Sequence, residues 1–102
     1  MYARISTFEG DVKRFPETLR EIREMALPGL REIPGFAGFV GMIDHETGRS
    51  INLTLWDSHE ALAESEDQSA MIRMRTTLPK DVRLVRVERY EVAEFFMAEM
   101  EH

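Results

Sequence analysis

Strand-like and helix-like hydrophobic periods take turns along this chain. Residues 2 to 8, YARISTF, read as a short strand with Ile5 and Phe8 as its largest apolar members, broken by Glu9-Gly10-Asp11. Val12, Phe15, Leu19, Ile22, Met25 and Ala26 then recur at three- and four-residue steps, which predicts one apolar helix face capped by Asp11. Pro16 places the start of the regular helix near itself or kinks its first turn, and Pro28-Gly29 ends or bends it. Leu30 and Ile33 continue the apolar face for another turn. Pro34-Gly35 turns the chain into a second strand, IPGFAGFVGMID, where Gly38 and Gly41 suggest a bulge or a close approach by another group. Residues 44 to 50 read as a hairpin loop with Gly48 at positive φ, and residues 50 to 56 as strand three. Asp57-Ser58-His59-Glu60 reads as a capping box, with Asp57 or Ser58 as cap and Glu60 reaching back, opening a second helix over about 58 to 77. That helix would turn Leu62, Ala70, Met71, Met74 and Leu78 inward. Residues 82 to 92 form strand four, and residues 93 to 102 a short helix or arm with Phe95, Phe96, Met97 and Met100.

The order strand, helix, strand, strand, helix, strand is the ferredoxin-like βαββαβ arrangement: an α+β fold with a four-stranded antiparallel sheet and both helices on one face. Strand three sharpens the picture. Ile51, Leu53 and Leu55 point to one face; Asn52, Thr54 and Trp56 point to the other. Neither face alternates with charge as a water-facing strand would, so both should be covered. The helices cover one. A second copy of the sheet is expected to cover the other, closing a dimeric α/β barrel.

The 102 residues suit one domain, with a core over about 2 to 92 and an arm over 93 to 102. A domain this small has a thin core, which a second copy would complete. There is no cysteine, so disulfides and cysteine-based metal sites are excluded. His45, His59 and His102 lack the spacing of a metal site. A net charge of −6 argues against a nucleic-acid partner, and the Arg83, Arg86, Arg89 cluster is interleaved with Glu88 and Glu91, as on a solvated face. No apolar run reaches the length of a membrane span, and the N-terminus lacks a signal-peptide core, so a cytoplasmic location is expected. No Gly-rich phosphate loop or nucleophile elbow is present.

IPGFAGF after a long first helix, then a short hairpin, then LTLWDSHEAL opening helix two, closely resembles the antibiotic biosynthesis monooxygenase domain of the dimeric α/β-barrel superfamily. The resemblance runs over roughly residues 2 to 92. It implies a homodimer and, within each subunit, a ligand cleft between sheet and helix two. Asn52, Thr54 and Trp56 would face that cleft, and Ile51, Leu53 and Leu55 the dimer interior. Family members that oxidise polycyclic phenols use neither metal nor flavin, because the deprotonated substrate supplies the electrons for dioxygen. In them an Asn stands four residues before the strand-three Trp, as Asn52 stands before Trp56; these two are the expected catalytic pair. A helix-two Arg corresponds to Arg73 if a short deletion is allowed. Thr54, Met71, Arg73 and Met74 are the expected substrate-binding residues. The family's helix-two tyrosine falls at Leu62 and its strand-two histidine near Met42. Haem-degrading relatives use a strand-one Asn, a second Trp in helix two and a later His in that helix. The corresponding stretches here are Arg4 to Thr7, Ala63-Glu64 and the region of Met74, and none matches.

Two functions follow as expectations. The first is a cofactor-independent monooxygenase acting on a small aromatic or phenolic molecule, with no metal, flavin or haem. The alternative is a non-enzymatic dimer that binds a small ligand or regulates; a haem-degrading monooxygenase ranks third. Residues i and i+4 of a strand lie roughly 13 Å apart on one face. Asn52 and Trp56 could therefore bracket a flat ligand of fused rings, with Met71 or Met74 opposite.

Overall fold

A computed structural model describes residues 1–68 and 81–98. Strands β1 (Tyr2–Gly10), β2 (Phe36–Asp44), β3 (Arg49–Trp56) and β4 (Val82–Glu91) form one antiparallel sheet in the order β2-β3-β1-β4. This is the ferredoxin-like order, with β1 and β3 central. The helical run between β1 and β2 has three parts: α1 (Phe15–Glu21), a π-helical segment (Ile22–Ala26) and α2 (Leu27–Arg31). Helix α3 (His59–Ser65) follows β3.

The helical run begins at Phe15, with Pro16 in its first turn where the missing N–H costs nothing. Asp11 does not cap it; its Oδ1 accepts from the Lys13 N–H in the preceding turn. Pro28 does not end the run. The Leu27 N–H reaches back five residues to the Ile22 carbonyl, and this wider turn lets the chain continue through a proline that cannot donate. The extra residue also rotates the apolar stripe. Met25, expected on the inner face, is 76% exposed, whereas Leu30 is 0% exposed. Leu30 and Ile33 hold the stripe against the sheet, and full burial of such a side chain contributes roughly 1.5–3 kcal/mol.

Gly35 and Gly48 adopt φ of 85° and 73°, as their turns require. Gly35 must also be small, because a Cβ there would lie 2.4 Å from the Ala61 Cβ and 2.7 Å from the Asp57 carboxylate. The Gly35 carbonyl accepts from the Asp57 N–H at 2.9 Å. The turn after α2 is thus packed directly onto the start of α3. The register of β2 on β3 shifts between Phe36 and Gly38, the bulge that the strand-two glycines suggested. The Ser58 hydroxyl caps α3 by accepting from the Ala61 N–H at 3.1 Å. With Ser58 as cap, the third helical residue is Ala61 and not Glu60, so the expected capping box is a simple Ser cap.

Two buried clusters form on the helix side of the sheet. Ile22, Leu30, Ile33, Trp56, Ala61 and Leu62 make the larger one; Phe8, Phe15 and Val82 make the smaller. On the opposite side no described helix packs. Val40 and Met42, paired with Leu53 and Ile51, are 45% and 43% exposed.

Candidate functional site

The strand register places Arg4 opposite Thr54 and Ser6 opposite Asn52. All four share the helix-facing side of the sheet with Trp56. A row of polar groups therefore runs through the layer between the sheet and the helices. Ser50, Asn52 and Thr54 are all buried there.

Trp56 is 0% exposed. Its Nε1–H donates to Thr54 Oγ1 at 3.0 Å, and the Phe36 ring meets it edge-on at 5.4 Å between centroids. The indole N–H of this expected catalytic residue is thus bonded to Thr54. Asn52 differs. It is 4% exposed, and its Oδ1 is buried without a hydrogen-bond partner among the described residues. Buried amides are nearly always satisfied, and an unmet acceptor costs about 1–3 kcal/mol.

Beside this row stands Arg4, a residue that sequence reasoning did not select. Only 1% exposed, it lies over the Trp56 ring at 5.7 Å from the centroid. Its Nη2 donates to the Leu62 carbonyl at 2.8 Å and to Ser65 Oγ at 2.6 Å, and approaches Glu66 Oε1 at 3.5 Å. Ser65 Oγ donates onward to the same Leu62 carbonyl. Glu66 also accepts from Arg89 Nε of β4. Burial works against the Glu66 charge, but the Arg89 hydrogen bond and charge, joined by Arg4, outweigh it and hold its carboxyl below the ordinary carboxylate value.

Met71, Arg73 and Met74 lie outside the described residues. Leu62, at the position of the family tyrosine, is buried in the main cluster, and Met42 belongs to the opposite face of the sheet. His59 stacks edge-on against Tyr2 at 5.5 Å, and these two with Leu62, Arg89, Tyr90 and Glu91 line a groove of about 200 Å³. His45 is exposed in the β2–β3 hairpin. The chain has no histidine between His59 and His102, so these residues do not fit a haem held by a late helix-two histidine.

The sheet order, the helices on one face and the polar row between them define a ferredoxin-like α+β domain with a candidate ligand site between sheet and helix. Solved structures make the fold specific. MhuD, a heme-degrader from Mycobacterium tuberculosis, is similar at TM-score 0.73 and 19% identity, covering 95% of this chain and 100% of that one. HapK from Hahella chejuensis is similar at TM-score 0.75 and 10% identity, over 97% and 100% of the two chains. SnoaB, a cofactor-independent oxygenase from Streptomyces nogalater, is similar at TM-score 0.69 and 13% identity, over 92% and 94%. The chain has the antibiotic biosynthesis monooxygenase fold. No family model matches the sequence. Among curated proteins, it is similar to Uncharacterized protein Rv2558 of M. tuberculosis, 31% identical over 93 residues. It is also similar to Uncharacterized protein Rv2557 of the same organism, 28% identical over 75 residues. The matches cover 91% and 74% of this chain but 39% and 34% of those proteins, so it spans well under half the length of either relative.

Proposed function

We propose that this domain is a monooxygenase of the antibiotic biosynthesis type, acting without metal or flavin on a small hydroxylated aromatic. The observation that carries the reading is the buried Asn52 Oδ1 on the helix-facing side of β3, which has no hydrogen-bond partner among the described residues. A buried acceptor that no described donor meets has room for a ligand's donor, and a phenolic hydroxyl is one. SnoaB, which shares this fold, is a cofactor-independent oxygenase.

The chemistry asks little of the protein. Removing a proton from an anthrone-type substrate gives an electron-rich anion that reduces dioxygen. One oxygen atom replaces two hydrogens at the reacting carbon to give a carbonyl, and the other leaves as water. Asn52 would hold the substrate hydroxyl. Trp56, fixed by Thr54 and Phe36, would be a rigid apolar backing rather than a hydrogen-bond donor. Arg73, Met71 and Met74 are proposed to take part in binding the substrate. Oxygen uptake with a hydroxyanthrone, measured against an anaerobic control, tests this: protein-dependent uptake with quinone formation supports it, and none refutes it.

The subunit is proposed to act as a homodimer. The support is the outer sheet face, where Val40 and Met42 stand exposed beside half-buried Ile51 and Leu53. A second reading, a non-enzymatic ligand-binding or regulatory dimer, is favoured by one observation. The family tyrosine and histidine positions are taken by a core Leu62 and an outer-face Met42, neither of which can move a proton. This reading predicts binding of the same aromatic with no oxygen uptake.

A further inference from the structure

Asn52 lies one strand in from the edge of the described sheet. Its partner across the β2–β3 ladder is Gly41, on the outermost described strand of that side. The two share the helix-facing side, so a Cβ at Gly41 would stand roughly 4.5–5.5 Å from that of Asn52. Glycine leaves that place empty, and Gly41 is exposed while Asn52 is buried. The space is approached from α1. Leu19 Cδ2 and Cδ1 lie 2.9 and 3.7 Å from where the Cβ would be, and Phe39 Cε1 lies 3.4 Å from it. Leu19 and Phe39 are partly buried and pack against the main cluster. On this side the polar row therefore ends at a bare, exposed piece of strand with one flexible leucine leaning across it.

We infer that Leu19 and Gly41 are specificity-determining: an aromatic ligand reaches Asn52 over Gly41, beneath the Leu19 side chain, and the clearance between them limits how many fused rings pass. This rests on the cleft reading above and adds the ligand's size to it. The backbone does not demand glycine here, since Gly41 lacks the positive φ of Gly35 and Gly48 and pairs in regular register. A strand glycine of ordinary φ costs conformational entropy and packs nothing, so what it supplies is room for a close approach. The side chain that bounds the room can move. Leu19 carries no polar atom, so swinging its tip aside breaks no hydrogen bond. Close packing of Leu19 alone would also favour glycine, but that role would treat ligands of every size alike.

The test compares alizarin, a dihydroxyanthraquinone of three fused rings, with 2-naphthol, which has two, by spectroscopic titration of the full chain. Wild type should bind both. Gly41→Ala strains no backbone and asks only the far end of Leu19 to shift, so it should fold. It should weaken alizarin by about tenfold or more, the usual cost of one methyl too many in a fitted apolar site, and leave 2-naphthol nearly unchanged. Adding Leu19→Ala should restore alizarin by returning the clearance that the methyl took. Gly41→Ala alone decides the matter where the double variant fails to fold. Affinities unchanged in Gly41→Ala, weakened equally for both ligands, or unrestored in a folded double variant overturn the inference and leave the cleft reading intact. If wild type binds 2-naphthol alone, Leu19→Ala should admit alizarin, and its failure to do so also overturns the inference. A wild type that binds neither ligand overturns both the cleft reading and this inference.

Discussion

Asn52 keeps a carbonyl oxygen away from water and from every described donor, which is a cost to the folded state. Replacing it by Ala removes that cost. Asn52→Ala should therefore melt at the wild-type temperature or above it, by up to about 1–3 kcal/mol of stability, and should lose the upward melting shift that a hydroxyanthraquinone gives wild type. A lower melting temperature would mean that the amide holds structure. Gly35 sets the opposite case. Its φ of 85° and the 2.4 Å that would separate an added Cβ from the Ala61 side chain leave no room for substitution. Gly35→Ala should destabilise by at least about 1–3 kcal/mol in denaturant melts. Both residues could be selected from sequence, Asn52 as an amide in an aliphatic strand and Gly35 as the pivot of a Pro-Gly turn. Arg4 could not. A single charge in a short strand reads as solvent-facing, and its burial depends on Ser65 and Glu66, more than 60 residues away along the chain. Its one local signal is the helix-facing register it shares with Thr54.

The elements were legible where spacing decides them and not where a local irregularity does. The four strands and their faces follow from alternation and from the glycine turns. A regular 3.6-residue count puts Met25 on the inner face, but a π turn adds a residue to the repeat and swings it outward, which no count can register. Asp57-Ser58-His59-Glu60 offered two caps and one reach-back, and geometry chose Ser58 alone. Ser58→Ala should cost about 0.5–2 kcal/mol in denaturant melts, while Glu60→Ala should cost little. The end of α3 carries a pH signature. The folded state holds the Glu66 carboxyl below its ordinary value of 4.5, so this group adds stability above that pH and loses it as acid protonates the folded carboxylate. Glu66→Gln should flatten the fall of the melting temperature below pH 4.5 relative to wild type.

For the whole molecule, the described helices lie over one side of the sheet and leave an apolar outer face, with Val40 and Met42 exposed at 45% and 43%. These features support a face-to-face pair of sheets. Sedimentation at micromolar concentration should give twice the 11.9 kDa subunit mass. Leu53→Asp should return a monomer or an unfolded chain, because it would bury a charge without a partner. A wild-type monomer would rule the dimer out. The fold itself was legible from the order of strands and helices. The use of the proposed cleft was not, since one fold serves several chemistries and the group that bears on it is a buried Asn52 oxygen that no described donor meets. The most direct test is dioxygen consumption with a hydroxyanthrone, run on wild type and on Asn52→Ala at equal concentrations of folded protein. Wild type should take up oxygen in step with quinone formation. Asn52→Ala should do so at least roughly tenfold more slowly, the loss expected when a buried hydrogen bond to the reacting molecule is removed. Equal uptake by the two proteins, or none by wild type, would contradict the proposed role of the cleft.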